Sequence, residues 1–387
     1  MAKIIAAAQH MGGANAIAPV VKRLMNQEWI QVVPLGYGYA RKVFEEQGIK
    51  YKVIEDWKQP NVSVHSMKHL LDAEGHPSLV LVGTAVQSEN NLSIIDQTLI
   101  SAAKVSSTKS LAVMDYWGNE KERFGDIVSG QLEFLPNKIA VLDERQKQDM
   151  IKIGIGEDII EITGNPHFDA LAQKARAFTE EEKQKIRKEI GLRREKLIFF
   201  AGNVFGPNGF DLGFWDLNVI AYLREAVENF CVEKVGLVIK LHPSIYEEES
   251  KDDLRKIEKF VKTNSMGKIV IVRNISSIDL SLACDLTLIT DSAVGVEAVN
   301  LNKPVICLRP NPRLARSDDS VFARTKAVPV VYDRRDISGI VRRAIIDERY
   351  RQSLITNASA LRTNGRAVER VANLAVQMTA RPSYLDK

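Results

Sequence analysis

The amino-acid sequence predicts an α/β protein built as two doubly wound parallel-sheet domains facing a cleft. Three observations predict it. Short apolar runs of strand length alternate with helix-patterned segments through both halves of the chain. A charged, helix-forming run over 180–196 (EEEKQKIRKEIGLRREK) separates the halves, and a buried strand restarts directly after it. The strand-like runs also end in glycine, histidine, aspartate or serine, side chains suited to ligands that bind outside the carboxyl ends of parallel strands.

In chain order, the apolar run 3–8 reads as a first strand. It is followed by a glycine loop, Gln9 to Asn15, and a helix carrying Val20, Val21 and Leu24. Further strands are read at 30–34, 50–54 and 78–82, the last ending in Gly83-Thr84-Ala85 and leading to a helix over 91–103. A strand over 110–114 ends in Asp115-Tyr116-Trp117, and two more follow at 138–141 and 159–162. The second half repeats this rhythm. Its strands are read at 197–200, 236–241, 268–272, 286–289, 304–308 and 328–331, with helices over 217–230 and 247–263 and in the tail at 337–346 and 367–378. The division this implies is 1–178 for a first domain and 179–360 for a second, with a helical tail over 361–387.

The bulk numbers exclude some function classes. The chain has 387 residues, enough for two domains, with 45% hydrophobic and 26% charged residues. A net charge of +4, dispersed along the chain, offers no footprint for nucleic acid. It suits anionic small substrates and is compatible with peripheral contact at the inner face of a membrane. No run approaches the ~20 apolar residues of a membrane span, and the opening apolar run is short for a signal peptide. Cys231, Cys284 and Cys307 lie in apolar surroundings without CxxC or His/Cys ligand spacing, which points to buried thiols in a cytoplasmic protein and to no metal site.

Several strand ends carry candidate chemistry. Gly12 and Gly13 allow close backbone approach, and the helix N-terminus behind them favours an anion. A tight turn without ligand reads equally from the same residues. His10 beside them is a candidate base or a polar loop residue. Asp115 is placed for base work or for holding a sugar hydroxyl, or it caps its loop. Arg123 and the charges around it read as an exposed face, and His167 as part of a structural turn. Gly202 and Asn203 begin a loop with Gly206 and Gly209 that lines a ligand or merely connects. His242 is set at the sheet rim because Pro243 stops the strand. Thr290, Asp291 and Ser292 precede a small-residue helix with Gly295 and Glu297, where Ser292 serves as N-cap or phosphate donor. Glu297 needs partners, either ribose hydroxyls or a salt bridge to Arg309 or Lys303.

At these residues the chain resembles the GT-B superfamily of Rossmann-like two-domain enzymes, which comprises nucleotide-sugar glycosyltransferases and the related sugar-nucleotide 2-epimerases. KLHP (240–243) with TDS (290–292) is similar to signatures of bacterial CDP-glycerol glycerophosphotransferases, sialyltransferases and Kdo transferases. TGNPHFDAL (163–171) is similar to the segment before the interdomain linker in several of these families. GVEAVNLNKPVICLR (295–309) resembles their donor-site helix and strand, and NGRAVERVANLAVQM (364–378) their closing helix. The resemblance implies that Glu297 binds the donor ribose and that His242 and Ser292 bind its phosphates. It also implies metal-independent transfer, without a cofactor, of a sugar or polyol phosphate. The nucleotide-activated donor would be a substrate, and the acceptor a surface polysaccharide or a lipid-linked saccharide. His10 or Asp115 would be the base. The 2-epimerases carry GxRPE after their first strand, where this chain has AQHMGGAN. The alternatives are a UDP-N-acetylglucosamine 2-epimerase or nucleotide-sugar hydrolase, and a non-catalytic sugar-nucleotide-binding protein.

Overall fold

The computed structural model describes residues 1–54, 62–87, 94–192, 195–203, 212–228, 230, 235–264 and 268–379. The chain divides into two compact units. Unit 1 is Met1–Ala170 together with the segment from Thr363 onward, and unit 2 is Leu171–Arg362.

Among the described residues unit 1 holds seven strands, β1 (Ala2–Ala7), β2 (Ile30–Gly36), β3 (Lys52–Val53), β4 (Leu79–Val82), β5 (Lys109–Val113), β6 (Lys138–Val141) and β7 (Ile160–Ile162). All pair in parallel in the order β3-β2-β1-β4-β5-β6-β7, so the strand order reverses between β1 and β4. The central strands are buried on both faces, hence their continuous apolar character rather than alternation. Helix α1 (Met11–Met25) packs Ile17, Val20, Val21 and Leu24 into a core with Ile4, Leu79, Leu81, Leu111 and Val113.

The returning C-terminal helix, Ala367–Thr379, adds Val371, Ala372, Ala375 and Met378 to this core. Asp169, nearly fully buried, fastens that return. It accepts a 2.9 Å hydrogen bond from the Val368 N–H and another from the Thr363 hydroxyl.

Helix α1 begins at Met11, so Gly12 and Gly13 lie in its first turn rather than in a loop before it, and His10 stands at its N-cap. Helix α2 (Ala40–Glu46) follows β2. Helix α3 (Val64–Ala73), started by a Ser63–Ser66 capping box, and α4 (Ile95–Val105) flank β4. The expected start of α4 near residue 91 lies outside the described residues. Helix α5 (Glu120–Phe124) follows β5, α6 (Glu144–Lys152) is capped by Asp143, and α7 (Pro166–Ala177) follows β7.

In unit 2 the charged run forms helix α8 (Glu180–Ile190), with a Thr179–Glu182 capping box at one end and Gly191 at φ +78° at the other. Arg187 docks it by an ion pair to Asp285 at 2.7 Å and a hydrogen bond to the Ala283 carbonyl, and Asp285 also accepts from the Leu197 N–H. Six strands follow, β8 (Lys196–Ala201), β9 (Val235–Lys240), β10 (Ile269–Ile271), β11 (Leu286–Ile289), β12 (Val305–Leu308) and β13 (Val330–Val331). They too are all parallel, in the order β10-β9-β8-β11-β12-β13, with the reversal between β8 and β11. Helices α9 (Asp216–Glu228), α10 (Lys251–Asn264), α11 (Ser277–Ala283), α12 (Ala293–Asn300), α13 (Val321–Thr325), α14 (Arg334–Ile346) and α15 (Glu348–Asn357) complete it. Among the described residues no helix is long and apolar enough to cross a membrane. Cys284 and Cys307 are buried free thiols, and Cys231 lies outside the described residues.

Candidate functional site

In an open parallel sheet the loops on either side of the strand-order reversal diverge and leave a crevice. Both units place sequence-predicted residues there.

In unit 1 the crevice lies between the ends of β1 and β4. Gly13 and Gly83 meet backbone to backbone: a Cβ at Gly83 would stand 2.9 Å from the Cα of Gly13. Gln9 and Asp96 clamp the two sides reciprocally. The Gln9 N–H donates to the Asp96 carboxyl at 3.0 Å, and the Ile95 N–H donates to Gln9 Oε1 at 3.0 Å. Burial pushes the Asp96 carboxyl up to about 7, against the pull of the Asp96, Gln9 and Ala85 N–H groups.

One strand along, at the end of β5, Asp115 is held on three sides. Its Oδ1 accepts from Arg123 Nη1 at 2.7 Å, and its backbone carbonyl accepts from Asn165 Nδ2 at 2.7 Å. Its Oδ2 lies against the first turn of α1, 1.9 Å from where a Cβ on Gly12 would be. Glycine at position 12 is therefore what allows the carboxylate to stand there. His10 makes no side-chain capping bond to α1. Its pKa is lowered by burial, raised by the Asp115 charge and lowered by that of Arg123, so all three groups share one electrostatic neighbourhood.

Arg123 corrects the expectation of an exposed face, because its side chain is only 9% exposed. His167 lies in α7, where its N–H donates to Asn165 Oδ1, so that turn positions Asn165 rather than ending in a bare loop. A cavity of about 250 Å³ opens beside this cluster, lined by Val86, Gln87, Lys121, Glu122, Gly125 and Asp126 among others.

In unit 2 the crevice lies between the ends of β8 and β11. Gly202 leaves room for Asp216, whose Oδ2 would stand 2.5 Å from a Cβ there. Asp216 is buried, accepts from the Asn203 N–H at 3.2 Å, and is pushed up to about 7 by burial. Asn203 Nδ2 donates to the Asp291 carbonyl and so ties the two strand ends together. Gly206 and Gly209 lie outside the described residues. Thr290 is fully buried and its carbonyl accepts from Cys307 Sγ at 3.0 Å.

Asp291 pairs with Arg309 at 2.9 Å. Arg309 also pairs with Asp318 at 2.9 Å, which in turn accepts from the Tyr332 hydroxyl at 2.8 Å. Burial raises the Asp291 pKa, and Arg309 opposes it.

Ser292 N-caps α12, its Oγ accepting from the Val294 N–H at 3.3 Å. Gly295 has a packing reason: a Cβ there would stand 2.8 Å from Phe322 Cζ and 3.0 Å from Ile289 Cδ1. Glu297 is half-buried on α12. Of the two cations considered for it, Arg309 is committed to the aspartates and Lys303 Nζ donates to the Leu282 carbonyl at 2.6 Å. His242 follows β9 with its ring exposed. Its Nδ1 accepts from the Ser244 N–H at 3.3 Å, which leaves the hydrogen of the neutral ring on Nε2, a donor for an anion.

Sequence reasoning did not single out Asp96, Asn165, Asp216 or Asp318. Arg309 it considered only as a partner for Glu297. An aspartate in the first turn of a helix was the available signal for Asp96 and Asp216. For Arg309 it was a cation directly after the buried run VICL.

No family model matches the chain, and no curated protein matches it in sequence. Solved structures do match it. MnaA of S. aureus, solved with UDP, has 18% identity over 99% of both chains and a TM-score of 0.69. UDP-GlcNAc 2-epimerase from Neisseria meningitidis, bound to UDP-GlcNAc, has 16% identity over 97% of this chain and 100% of its own, with a TM-score of 0.71. HepE of Anabaena, in complex with UDP and glucose, has 12% identity over 97% of this chain and 99% of its own, with a TM-score of 0.62. At such identities the likeness is one of fold. The chain has the GT-B fold of two parallel-sheet α/β units, shared with sugar-nucleotide 2-epimerases.

Proposed function

We propose that the protein is an enzyme that binds a UDP-activated sugar and acts on that donor itself, by 2-epimerisation or hydrolysis. Unit 2 binds the nucleotide. Ser292 and the α12 N-terminus take its phosphates together with His242 Nε2, Glu297 takes ribose hydroxyls, and Gly202 and Asn203 line the crevice. Unit 1 supplies acid–base chemistry through Asp115 and His10.

The observation that carries this reading is that structures solved with UDP or UDP-GlcNAc match the chain along nearly its whole length, and 2-epimerases are among them. Buried dipoles and side-chain donors at a helix N-terminus stabilise a leaving diphosphate electrostatically, so the proposal requires no metal or cofactor. Activity is expected to persist in EDTA.

Transfer to a saccharide or lipid-linked acceptor, which the sequence motifs favour, is a second reading. The cavity lined by Gln87, Lys121 and Glu122 in unit 1 and the paired His242-Pro243 and Thr290–Ser292 signatures support it, as does the AQHMGGAN phrase standing where 2-epimerases carry GxRPE.

Incubation with UDP-GlcNAc alone, followed by proton NMR, separates these readings. The first predicts the 2-epimer or free UDP without any acceptor. Turnover that appears only when an acceptor is added supports transfer, and binding without turnover in either case supports a non-catalytic protein.

A further inference from the structure

The guanidinium of Arg123 occupies a position that a charged surface residue would not. Its Nη1, with two hydrogens, is shared among the Thr84 carbonyl at 2.6 Å, Thr84 Oγ1 at 2.8 Å and Asp115 Oδ1 at 2.7 Å, and its Nε donates to the Gly118 carbonyl at 3.0 Å. These acceptors belong to two segments, the end of β4 and the loop between β5 and α5. Arg123 is itself anchored, because its own carbonyl accepts from Gln97 Nε2 on α4 at 3.1 Å.

Burying a guanidinium is costly unless its donors are satisfied, and here a planar fork meets acceptors in several directions, which a lysine ammonium cannot reproduce. Arg123 holds Oδ1, and Oδ2 lies against the first turn of α1, 1.9 Å from where a Cβ on Gly12 would be.

We propose that Arg123 is a positioning residue: it locks the Asp115 carboxylate so that Oδ2 is presented beside His10, while touching no substrate itself. This rests on the reading above, in which Asp115 or His10 acts on the sugar nucleotide. A misplacement of about 1 Å at a reacting group costs on the order of 100-fold in rate.

Arg123→Lys and Arg123→Gln are therefore expected to lower kcat about 100-fold, shift its pH profile, and leave the affinity for UDP within about twofold of wild type. Thr84→Val, which removes one acceptor and keeps the ion pair, is expected to lower kcat only a fewfold. It serves as the probe if the arginine variants do not fold. A purely structural arginine would lower the melting temperature while folded variants kept wild-type kcat and pH profile, and that result overturns the proposal.

A second readout does not depend on turnover. In an NMR titration of the six histidines, assigned with His10→Asn, Arg123→Gln should shift the His10 pKa, because the Arg123 charge that lowers it is gone and the Asp115 carboxylate that raises it is released. If no sugar nucleotide is turned over by the wild type, the reading of function fails, and the titration still decides on Arg123: an unmoved His10 overturns its role.

Discussion

The two crevices share a strand order and differ in what fills them. At the unit 1 reversal the chain supplies its own charges: the Asp115 carboxylate lies against the first turn of α1, and Arg123 holds it there. At the unit 2 reversal the helix N-terminus is capped by a neutral serine with no acidic residue in its first turn. The nearby carboxylates are tied up, Asp291 and Asp318 by Arg309, and Asp216 in the interior. A helix N-terminus stabilises one anion well. In unit 1 a side chain has taken that place, whereas in unit 2 it suits a phosphate. Under the proposed function this difference corresponds to a division of labour, with the nucleotide in unit 2 and the proton transfers in unit 1.

The sharpest way to break this contrast is to remove the unit 1 charge. Asp115→Asn is expected to lower kcat by about 100- to 10,000-fold, the range typical of a lost acid or base, with UDP binding intact by calorimetry. A comparable loss of UDP affinity would mean that the units do not divide the work.

Next in size comes Gly12→Ala, whose Cβ would stand 1.9 Å from Asp115 Oδ2 and force the carboxylate away. Steady-state kinetics should register a drop of about 100-fold. Gly295→Ala in unit 2 instead strikes Phe322 and Ile289, and overpacking of that kind costs about 1–3 kcal/mol in denaturant titrations.

Smaller again is Ser292→Ala. Loss of the cap should cost about 1 kcal/mol of stability and, if the same hydroxyl contacts phosphate, weaken UDP several-fold.

The pH dependence of stability probes the interior of both units instead of either crevice's ligand chemistry. Burial pushes Asp96 and Asp216 up to about 7 in the folded protein, from an ordinary aspartate value of 3.8. Between these limits the native state holds protons that the unfolded chain has released, so stability falls as pH rises through that window and is greatest below it. Melting temperature should decline as pH rises from about 4 to about 7 and level off above that, and Asp216→Asn should flatten the decline. An unchanged slope would contradict the burial argument.

The legible parts of this chain were the local ones. Apolar runs, glycines after strands, the proline that stops β9 and the cap at Ser292 each signal structure within a few residues, and from them both sheets could be laid out. Helix α1 started earlier than read because nothing in AQHMGGAN marks whether the glycines precede or open it. The clamps were not legible, since their partners are far apart in sequence: Gln9 and Asp96 are separated by 87 residues, Asp115 and Asn165 by 50. Arg123 sits in a run of charges that looks solvated until the fold brings Thr84 over it. Asp169 and Thr363, which fasten the returning helix, meet across 194 residues.

The central claim is that unit 2 holds the nucleotide at the ends of β8, β9 and β11. Calorimetric titration of UDP into the wild type and into the Ser292→Ala/Glu297→Gln double variant tests it directly. The account predicts a dissociation constant on the order of micromolar for the wild type, about −8 kcal/mol, and weakening by at least tenfold in the folded double variant. Wild-type protein that takes up no UDP, or a double variant that binds it as well as the wild type, would contradict it.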